Sequence, residues 1–232
     1  MTAHREAERA GCPEPQARDE RGRTLSEADS LGRPNVAGTA APEQEAERRS
    51  GLLKLNLGSA KQKLPGFLNV DNNPNAGAVD VAHDLDRLPW PFEESSVGEI
   101  VMDHVLEHLE DTIGTLLEIY RICADGAKVR IMTPHFSCNW THPGHKRAMG
   151  VGLFDHFNPA VEEHYGDCRF EVEKLTLRWM RPRYQTNPLR KLLSALIDLP
   201  ANLSPRTCQR IWCYWVGGFD EVEFRVRVVK QK

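Results

Sequence analysis

Three aspartates that follow short apolar segments, with a glycine turn beside the first, are the residues of this sequence best suited to bind a ligand. Gly58 follows residues 53–57, in which leucines alternate with polar residues, and Asp71, Asp84 and Asp103 each follow a later segment of strand-like pattern. A glycine lets a ligand approach the backbone closely, and a carboxylate can accept two hydrogen bonds from a vicinal diol such as a ribose. A nucleoside site is therefore one interpretation. A surface turn with ordinary turn-forming aspartates is the other.

Apolar periodicity predicts the elements that would position these residues. Strands are predicted at residues 53–57, 67–70, 79–82, 97–103, 128–133, 170–179 and 219–229. An apolar stripe from Leu106 to Tyr120 predicts a helix. Residues 189–199 predict a second helix that Pro200 ends, and residues 154–157 a short third one. Because parallel strands place ligands at their carboxyl ends, the glycine and the aspartates should meet at one edge of a sheet.

The predicted links between the first three strands are short for a parallel sheet. Residues 58–67 and 71–79 join them, whereas a parallel crossover usually takes a dozen residues or more, commonly as a helix. Either these crossovers lack helices or one strand is misassigned, and the pattern leaves both interpretations open.

Length and composition indicate one folded domain preceded by a tail. Within the 232-residue chain, residues 1–50 contain only three residues of the types Leu, Ile, Val and Phe, which is too few to offset the entropy of ordering. We therefore predict a disordered tail over residues 1–50 and a folded domain over residues 51–232. No stretch reaches the roughly 18 apolar residues of a membrane span, and no signal-peptide core precedes the predicted domain.

The net charge and the cysteine content indicate which binding partners and which cellular location to expect. The net charge of −3 argues against a large nucleic-acid footprint. The six cysteines form no CxxC pair, and a domain of this length does not need disulfides, so reduced thiols and a cytoplasmic location are expected. The sequence leaves the oligomeric state open.

The glycine turn fits one kind of nucleoside ligand better than another. A dinucleotide needs a cradle for its pyrophosphate, commonly G-x-G-x-x-G at the start of a helix, but residues 58–63, GSAKQK, contain one glycine. S-Adenosyl-L-methionine carries no phosphate; it carries a sulfonium, an amino-acid end and an adenosine. A glycine turn beside an acidic ribose clamp suits that cofactor better.

Five stretches of the sequence resemble class I S-adenosylmethionine-dependent methyltransferases, in particular small members with an abbreviated first crossover. They are LNLGSAKQKLPGFLNVD, VDVAHDLDRLPWPF, EIVMDHVLEHL, EIYRICADGAKVRIMTPHF and HPGHKRAMG. The resemblance covers roughly residues 52–232. It implies an α/β, Rossmann-like fold: a seven-stranded, mostly parallel sheet with an antiparallel last strand and helices on both faces.

The resemblance also implies cofactor-binding residues after the first four predicted strands. They are Gly58, Ser59 and Ala60 in the glycine loop, Asp71 at the ribose, Asp84 and Leu85 at the adenine, and Asp103 and His104 beside the cofactor. Two positions depart from the family pattern. Ala60 stands where a glycine is usual, which is strained if φ is positive there. Residues 142–145 read HPGH where similar proteins often have Asp-Pro-x-His, which leaves the role of that aspartate open.

The segment H-x-x-E-H at residues 104–108 fits an inverted zinc-peptidase signature. Helical spacing would place His104 and His108 on one face, as a metal site requires. The segment lies at a strand-to-helix junction, however, and no third ligand follows at a known spacing. A polar helix start is the favoured interpretation, and we predict no metal ligand.

Histidines after the fifth predicted strand are the candidate catalytic residues. A hydroxyl or amine acceptor can need a general base, and an imidazole has a suitable pKa. His135 follows the strand directly and is the first candidate; His142 and His145 lie in the next loop and are the others. Each could instead be a loop histidine bonded to backbone. Residues 178–183, with the aromatic residues at 212–215, are candidates for an acceptor pocket or for core.

The leading hypothesis is an S-adenosylmethionine-dependent methyltransferase acting on a small-molecule or carbohydrate-like acceptor. The acceptor class rests on the resemblance alone. A non-catalytic S-adenosylmethionine-binding module is one alternative, which the substitution at Ala60 makes conceivable. A zinc hydrolase using His104, Glu107 and His108 is the other.

Overall fold

The computed structural model describes residues 51–77, 79–138, 142–215 and 217–230. The prediction of a disordered tail over residues 1–50 lies outside this part of the chain. None of the helices in the described ranges is long and apolar enough to cross a membrane.

Within the described ranges, seven strands form one mixed sheet. They are β1 Leu53–Leu57, β2 Leu68–Asp71, β3 Val81–Ala82, β4 Val97–Asp103, β5 Cys123–Pro134, β6 Arg169–Arg178 and β7 Glu221–Val229. The strand order is β3-β2-β1-β4-β5-β7-β6. β7 pairs antiparallel with β5 and β6, and the other neighbours pair in parallel. The predicted seven-stranded, mostly parallel sheet with an antiparallel last strand is thereby confirmed.

Helices and tight turns connect the later strands. They are the α-helices α1 Thr112–Ile122, α2 Pro188–Leu203 and α3 Pro205–Trp215, and the 3₁₀ turns Leu106–His108 and Pro182–Tyr184. The described residues between β1 and β2, and between β2 and β3, contain no helix. Abbreviated crossovers, rather than misassigned strands, therefore account for the short links.

One face of the central strands is completely buried. Leu55, Leu57, Ile100, Met102 and Ile131, from β1, β4 and β5, lie on that face and have no solvent exposure. The opposite face is mixed: Asn56 and Val101 are buried there, whereas Lys54 and Glu99 form a half-exposed ion pair at 2.9 Å. The packed face anchors the strands whose carboxyl ends carry the candidate site.

The single helix predicted from Leu106 to Tyr120 is wrong as one element. Its first turn is a 3₁₀ turn, and α1 begins only at Thr112. The Asp111 side chain accepts a hydrogen bond from Gly114 N at 2.9 Å and caps α1. An aspartate in this position satisfies a backbone N–H that has no partner within the helix.

The elements near the C-terminus also differ from the predicted ones. α2 continues through Pro200, which is exposed, so the carbonyl that loses its partner can bond water. α3 is absent from the predicted elements, because Ile211 and the aromatic residues beside it are typical of strands. Residues 154–157 form turns rather than a helix.

Candidate active site

The turn after β1 is held against the tip of β2. Gly58 N and Ser59 N both donate to Val70 O, at 2.8 and 3.0 Å. Gly58 has φ 66°, and a Cβ at this position would overlap Val105 Cγ2 and lie 2.9 Å from Val105 Cγ1. Glycine alone meets both conditions without strain, so it lets the turn pass close to the segment that follows β4.

Asp71 joins this turn to the end of β2. Its Oδ2 accepts a hydrogen bond from Ala60 N at 2.8 Å, and its Oδ1 accepts one from Asn73 N at 2.9 Å. Each carboxylate oxygen keeps a second lone pair, so two acceptor positions remain for a diol. His83 N donates to Asp71 O at 2.9 Å, which brings the segment containing Asp84 to the same edge of the sheet.

Ala60, the departure from glycine, adopts a left-handed conformation with φ 46°. This conformation costs an L-residue about 1–2 kcal/mol. The hydrogen bond from Ala60 N to the Asp71 carboxylate offsets part of that strain. The loop therefore has the left-handed conformation that the family's glycine would adopt, although the residue here is alanine.

A cavity of about 520 Å³ opens at the carboxyl ends of β1, β4 and β5. Five of the predicted cofactor residues line it: Gly58, Ser59, Ala60, Asp103 and His104. The Ser59 hydroxyl is buried without a hydrogen-bond partner among the described residues, so a polar ligand here would satisfy it. β1 lies between β2 and β4, where the strand order reverses, and open α/β sheets bind ligands at this point.

Asp71, Asp84 and Leu85, the other three predicted cofactor residues, are not among the residues that line this cavity. Asp71 is joined to the cavity wall through its hydrogen bond from Ala60 N. Asp84 Oδ1 accepts from Asp86 N at 3.2 Å, and its Oδ2 lies 3.5 Å from Arg87 Nε. Leu85 is buried, and its carbonyl accepts from Trp90 Nε1 at 3.1 Å. Their assignment to the adenine stays a prediction.

His104 bridges two buried carboxylates at the cavity wall. Its Nδ1 lies 3.1 Å from Glu107 Oε1 and its Nε2 lies 2.6 Å from Glu221 Oε1. Burial by itself lowers the pKa of His104, but the hydrogen bonds to Glu107 and Glu221 outweigh burial and raise it to about 9. Both ring nitrogens of His104 thus face carboxylates in this structure. The zinc-hydrolase alternative, which names His104 as a ligand, stays a hypothesis.

Charged residues from distant parts of the chain complete the cavity wall. They are Arg130, Arg178, Arg181, Arg183 and Glu221. Arg181 Nε lies 3.4 Å from Glu221 Oε1, and burial raises the pKa of Asp103 across the same cavity. The sequence predicts the basic segment 178–183 as a possible part of an acceptor pocket. It does not predict a role for Glu221, because this residue lies 117 residues from its partner His104 and no local pattern relates the two.

His135, the first predicted catalytic residue, is buried with no solvent exposure. Its Nδ1 lies 2.7 Å from Ser137 Oγ and its Nε2 lies 3.1 Å from Gln209 Oε1. A general base has to reach the acceptor, and His135 does not line the cavity that contains Gly58 and Asp103. Its catalytic role stays a prediction, and the contacts observed here join the end of β5 to α3.

The buried His135 should make the protein less stable as the pH falls below neutrality. Burial lowers its pKa, and the hydrogen bond to Gln209 opposes this only in part. Since an unfolded histidine titrates near about 6.5, the unfolded chain then binds a proton that the folded chain does not. The free energy of unfolding should fall by up to about 1.4 kcal/mol per pH unit between the two pKa values.

Urea unfolding at about pH 7.5, 6.5 and 5.5 measures this dependence. The His135→Asn variant keeps a polar side chain that cannot be protonated in this range, so its stability should depend less on pH. The same pH dependence in both proteins would contradict the prediction.

His142 and His145, the other predicted catalytic residues, line a second cavity of about 320 Å³. This cavity shares His104, Arg181 and Arg183 with the first. The rings of His142 and His145 stack with their centroids 4.5 Å apart. Two of the three predicted histidines thus lie beside the candidate cofactor cavity, and their roles stay predictions.

Comparisons with known proteins find similar structures but no similar sequence. The chain is similar to the crystal structure of the [4+2]-cyclase SpnF, with a TM-score of 0.50 and 12% identity over 82% of this chain and 80% of that one. It is also similar to an S-adenosylmethionine-dependent methyltransferase from Mesorhizobium loti, with a TM-score of 0.47 and 15% identity over 81% and 98% of the two chains. No protein-family model matches the sequence, and no curated protein does.

The strand order and the likeness to SpnF show the Rossmann-like α/β fold that the sequence resemblance predicts, with its seven-stranded and mostly parallel sheet. At 12% identity the likeness shows the fold alone. One fold hosts many chemistries, so the function has to be argued from the cavity and its residues.

Proposed function

We propose that the chain is an S-adenosyl-L-methionine-dependent methyltransferase acting on a small-molecule or carbohydrate-like acceptor. The observation that carries the proposal is the hydrogen bond of 2.8 Å from Ala60 N to Asp71 Oδ2, which ties the glycine turn that lines the cavity to the carboxylate at the end of β2. An adenosine needs a hydrogen-bond acceptor for its ribose diol. It also needs a nearby segment of backbone without side chains that would keep it at a distance. The turn at Gly58 and the Asp71 carboxylate supply both.

In this proposal the strand tips hold the cofactor. Asp71 accepts from the ribose hydroxyls, and the Ser59 hydroxyl gains the partner that it lacks. Asp84 and Leu85 contact the adenine, as the family resemblance implies. The cofactor, when bound, supplies an electrophilic methyl group on a positively charged sulfur.

The arginines on the cavity wall favour an acceptor that carries an anionic group. Two of these arginines lie beside carboxylates of the protein: Arg178 Nη2 bonds Glu223 Oε2 at 2.5 Å, and Arg181 lies beside Glu221. Arg130 and Arg183 also line the cavity and add to its positive charge. Guanidinium groups recognise carboxylate and phosphate groups through paired hydrogen bonds. We therefore favour acids, phosphates and acidic sugars within the proposed acceptor class.

The protein's contribution to methyl transfer is chiefly alignment. Holding the acceptor atom in line with the methyl group is worth up to roughly 7–11 kcal/mol when the geometry is good. An acceptor hydroxyl or amine also loses a proton, and His142 and His145 line the cavity that adjoins the first. These side chains are the proposed destinations of that proton.

Calorimetry followed by a turnover assay tests this function. The purified full chain, titrated with S-adenosylmethionine and with S-adenosylhomocysteine, should show saturable binding of both at one site. Incubation with S-adenosylmethionine and fractions of small acidic metabolites should then release S-adenosylhomocysteine. Binding without product would favour the non-catalytic module, and absence of binding would contradict both.

A further inference from the structure

We propose a divalent metal site, suited best to Zn²⁺, formed by Glu107, His108 and His145. One ligand atom from each side chain lies within 4.8 Å of the other two. Metal–ligand bonds of about 2.0–2.2 Å place the donors of one ion within about 4 Å of each other, so the cluster has to contract only slightly. Two imidazoles with one carboxylate form a donor set that Zn²⁺ accepts in open sites, where a fourth position stays free.

Glu107 provides independent evidence that a ligand belongs here. Its side chain is 1% exposed, and its Oε2 has no hydrogen-bond partner among the described residues. Its other oxygen, Oε1, bonds His104 Nδ1 at 3.1 Å. A buried carboxylate oxygen without a partner is destabilising. A cation bound between Glu107 and the two histidines would remove that penalty.

His108 is held in the manner typical of a metal-bound histidine. Its Nδ1 lies 2.8 Å from Gly144 O, so the ring donates Nδ1–H to a backbone carbonyl. The neutral ring then carries the lone pair on Nε2, which is the atom left for a metal. An outer hydrogen bond of this kind fixes the tautomer and orientation of metal-ligating histidines.

Backbone contacts fix the loop that carries His145 against the 3₁₀ turn. Lys146 N donates to Glu107 O at 2.7 Å, and Lys146 Nζ lies 2.7 Å from Glu110 Oε1. The His145 ring packs between its neighbours, with its centroid 4.9 Å from that of His108 and 4.5 Å from that of His142. The third ligand is therefore positioned before any ion enters.

This ligand set differs from the one that the H-x-x-E-H segment predicts. His104 is replaced by His145, which lies 37 residues after His108 in the sequence. A metal ion bound here takes the lone pair of His145, which leaves His142 as the proposed destination of the acceptor proton. Arg181 and Arg183 line the same cavity, so an anionic group could fill the open coordination position. The site does not depend on methyl transfer, because the metal ligands lie outside the set of cofactor residues.

Zinc titration of the chelator-treated full chain, without S-adenosylmethionine, tests the proposal. A chromophoric chelator should report one equivalent of bound Zn²⁺. His108→Asn and His145→Asn should each weaken binding by more than about 100-fold, since loss of an outer partner alone costs about 10–100-fold. Zn²⁺ should also raise the melting temperature of the wild-type protein but not of these variants.

His164→Asn is the matched control. The Nδ1 of His164 lies 2.8 Å from Val161 O, so this histidine makes the same kind of backbone contact as His108 but lies outside the cluster. The control should bind Zn²⁺ as the wild-type protein does. Absence of stoichiometric binding by the wild type, or equal affinity in all four proteins, would overturn the proposal.

A separate observation concerns α2, and from it we infer that α2 and α3 bind the surface of an anionic bilayer. Leucines recur along one face of α2 and project into solvent. They are Leu189 (64% exposed), Leu192 (57%), Leu196 (62%), Leu199 (72%) and Leu203 (82%). On α3, Ile211, Tyr214 and Trp215 are exposed by 57%, 73% and 85%. An apolar surface of this extent marks an interaction site.

The side of α2 that packs on the sheet carries Asp198 and Asn202 together with the buried Ser194 and Ala201, and the exposed leucines are not part of it. Asn202 Oδ1 accepts from Leu177 N at 2.7 Å, and Asn202 Nδ2 donates to Leu177 O at 2.8 Å. Asp198 Oδ1 accepts from Trp179 N at 2.7 Å. These contacts cover the edge strand β6 and fix the orientation of the helix, so the leucines face outward in the folded protein.

The charges on these helices favour a membrane surface over a protein partner. Their exposed charged residues are basic, at Arg190, Lys191, Arg206 and Arg210, and their one acid, Asp198, is bonded to the backbone. Arg206 is paired with Asp155. Basic residues beside an apolar helix face, with exposed Tyr and Trp, are typical of helices that lie in the headgroup region of anionic membranes.

Vesicle sedimentation tests this second inference. The full chain should bind vesicles of phosphatidylcholine with phosphatidylserine at least about tenfold more tightly than vesicles of phosphatidylcholine alone. Leu192→Gln with Leu196→Gln should abolish binding without loss of stability, because both side chains are exposed. Leu88→Gln, at an exposed leucine outside these helices, should change nothing. Equal binding of both vesicle types, or a stable dimer in solution that binds no vesicles, would overturn the inference.

Discussion

Gly58→Ala is expected to lower the free energy of unfolding by about 2–5 kcal/mol and to abolish binding of S-adenosylmethionine. The added Cβ would meet both methyl groups of Val105, and Gly58 has φ 66°. A left-handed conformation costs alanine about 1–2 kcal/mol, and an extra carbon in a packed contact costs typically about 1–3 kcal/mol. Relief of the clash would move the turn away from Val70 O, where both of its N–H groups bond. Denaturant unfolding and calorimetry measure the two effects.

Gly66→Ala separates conformational strain from the steric clash. Gly66 has φ 80°, and a Cβ there would meet no atom within 4 Å. The strain is of the same kind, but there is nothing to overlap, so the loss of stability should be about 1 kcal/mol and cofactor affinity should not change. Equal losses in the two variants would mean that close packing against Val105 does not constrain the turn.

Val105→Ala should partly rescue Gly58→Ala in the double variant. The substitution removes Cγ1 and Cγ2 of Val105, the atoms nearest to the added Cβ, and leaves the Val105 Cβ at 3.1 Å. Residues in direct contact are expected to show a coupling energy, here of about 1 kcal/mol or more. Additive losses of stability would contradict the contact.

The strands could be predicted from the sequence because their residues carry the signal locally. The predicted boundaries at residues 97–103 match β4, and the alternation from Phe219 onward predicts β7, which begins at Glu221. The pairing partners could not be predicted in this way, because the order of strands depends on contacts between distant segments. The family resemblance supplied the number of strands and the antiparallel direction of the last one, and the topology confirms both.

The start of α3 is marked in the sequence by a serine and a proline, a local signal that the strand-like residues after it obscure. Its aromatic and β-branched residues are typical of strands, but Ser204 and Pro205 precede them. A serine followed by proline is a common start for a helix, since the serine can cap and proline at the first position has no N–H to satisfy. Cys208 N bonds Ser204 O at 2.9 Å, as a helix start requires.

Some residues of the candidate site could likewise be predicted from local sequence, whereas others depend on contacts between distant segments. The glycine turn and Asp71 lie close in sequence and could be assigned together from the pattern of two strands. The sequence predicts His104 beside the cofactor, and its bond to Glu107 is local, but its bond to Glu221 depends on the position of β7 in the sheet. His145 likewise becomes a candidate ligand only because the loop after β5 folds back on the 3₁₀ turn.

Asp71→Ala is expected to weaken binding of S-adenosylmethionine by about 1.5–3 kcal/mol, or roughly tenfold to more than a hundredfold. The carboxylate is the proposed partner of the ribose hydroxyls, and it also holds Ala60 N at 2.8 Å. Its removal therefore takes away both a charge-assisted contact to the cofactor and the restraint on a residue that has φ 46°. Calorimetric titration of the purified full chain measures the change.

Asp125→Ala is the matched control for this substitution. Asp125 Oδ1 accepts a hydrogen bond from Lys230 N at 3.0 Å, so its carboxylate also bonds a backbone N–H, but Lys230, unlike Ala60, does not line the cavity. Both substitutions should lower stability by about 1 kcal/mol or less, because the hydrogen bonds are exposed. Only Asp71→Ala should change cofactor affinity.

Asp71→Asn distinguishes the charge of this side chain from its shape. The amide keeps one oxygen that can accept from Ala60 N or from a ribose hydroxyl, but it has lost the charge and one acceptor. Its affinity for the cofactor should fall between those of the wild type and Asp71→Ala. If all three proteins bind S-adenosylmethionine equally, the ribose is not held at the end of β2, and the glycine turn and Asp71 would then form a structural unit with no part in cofactor binding.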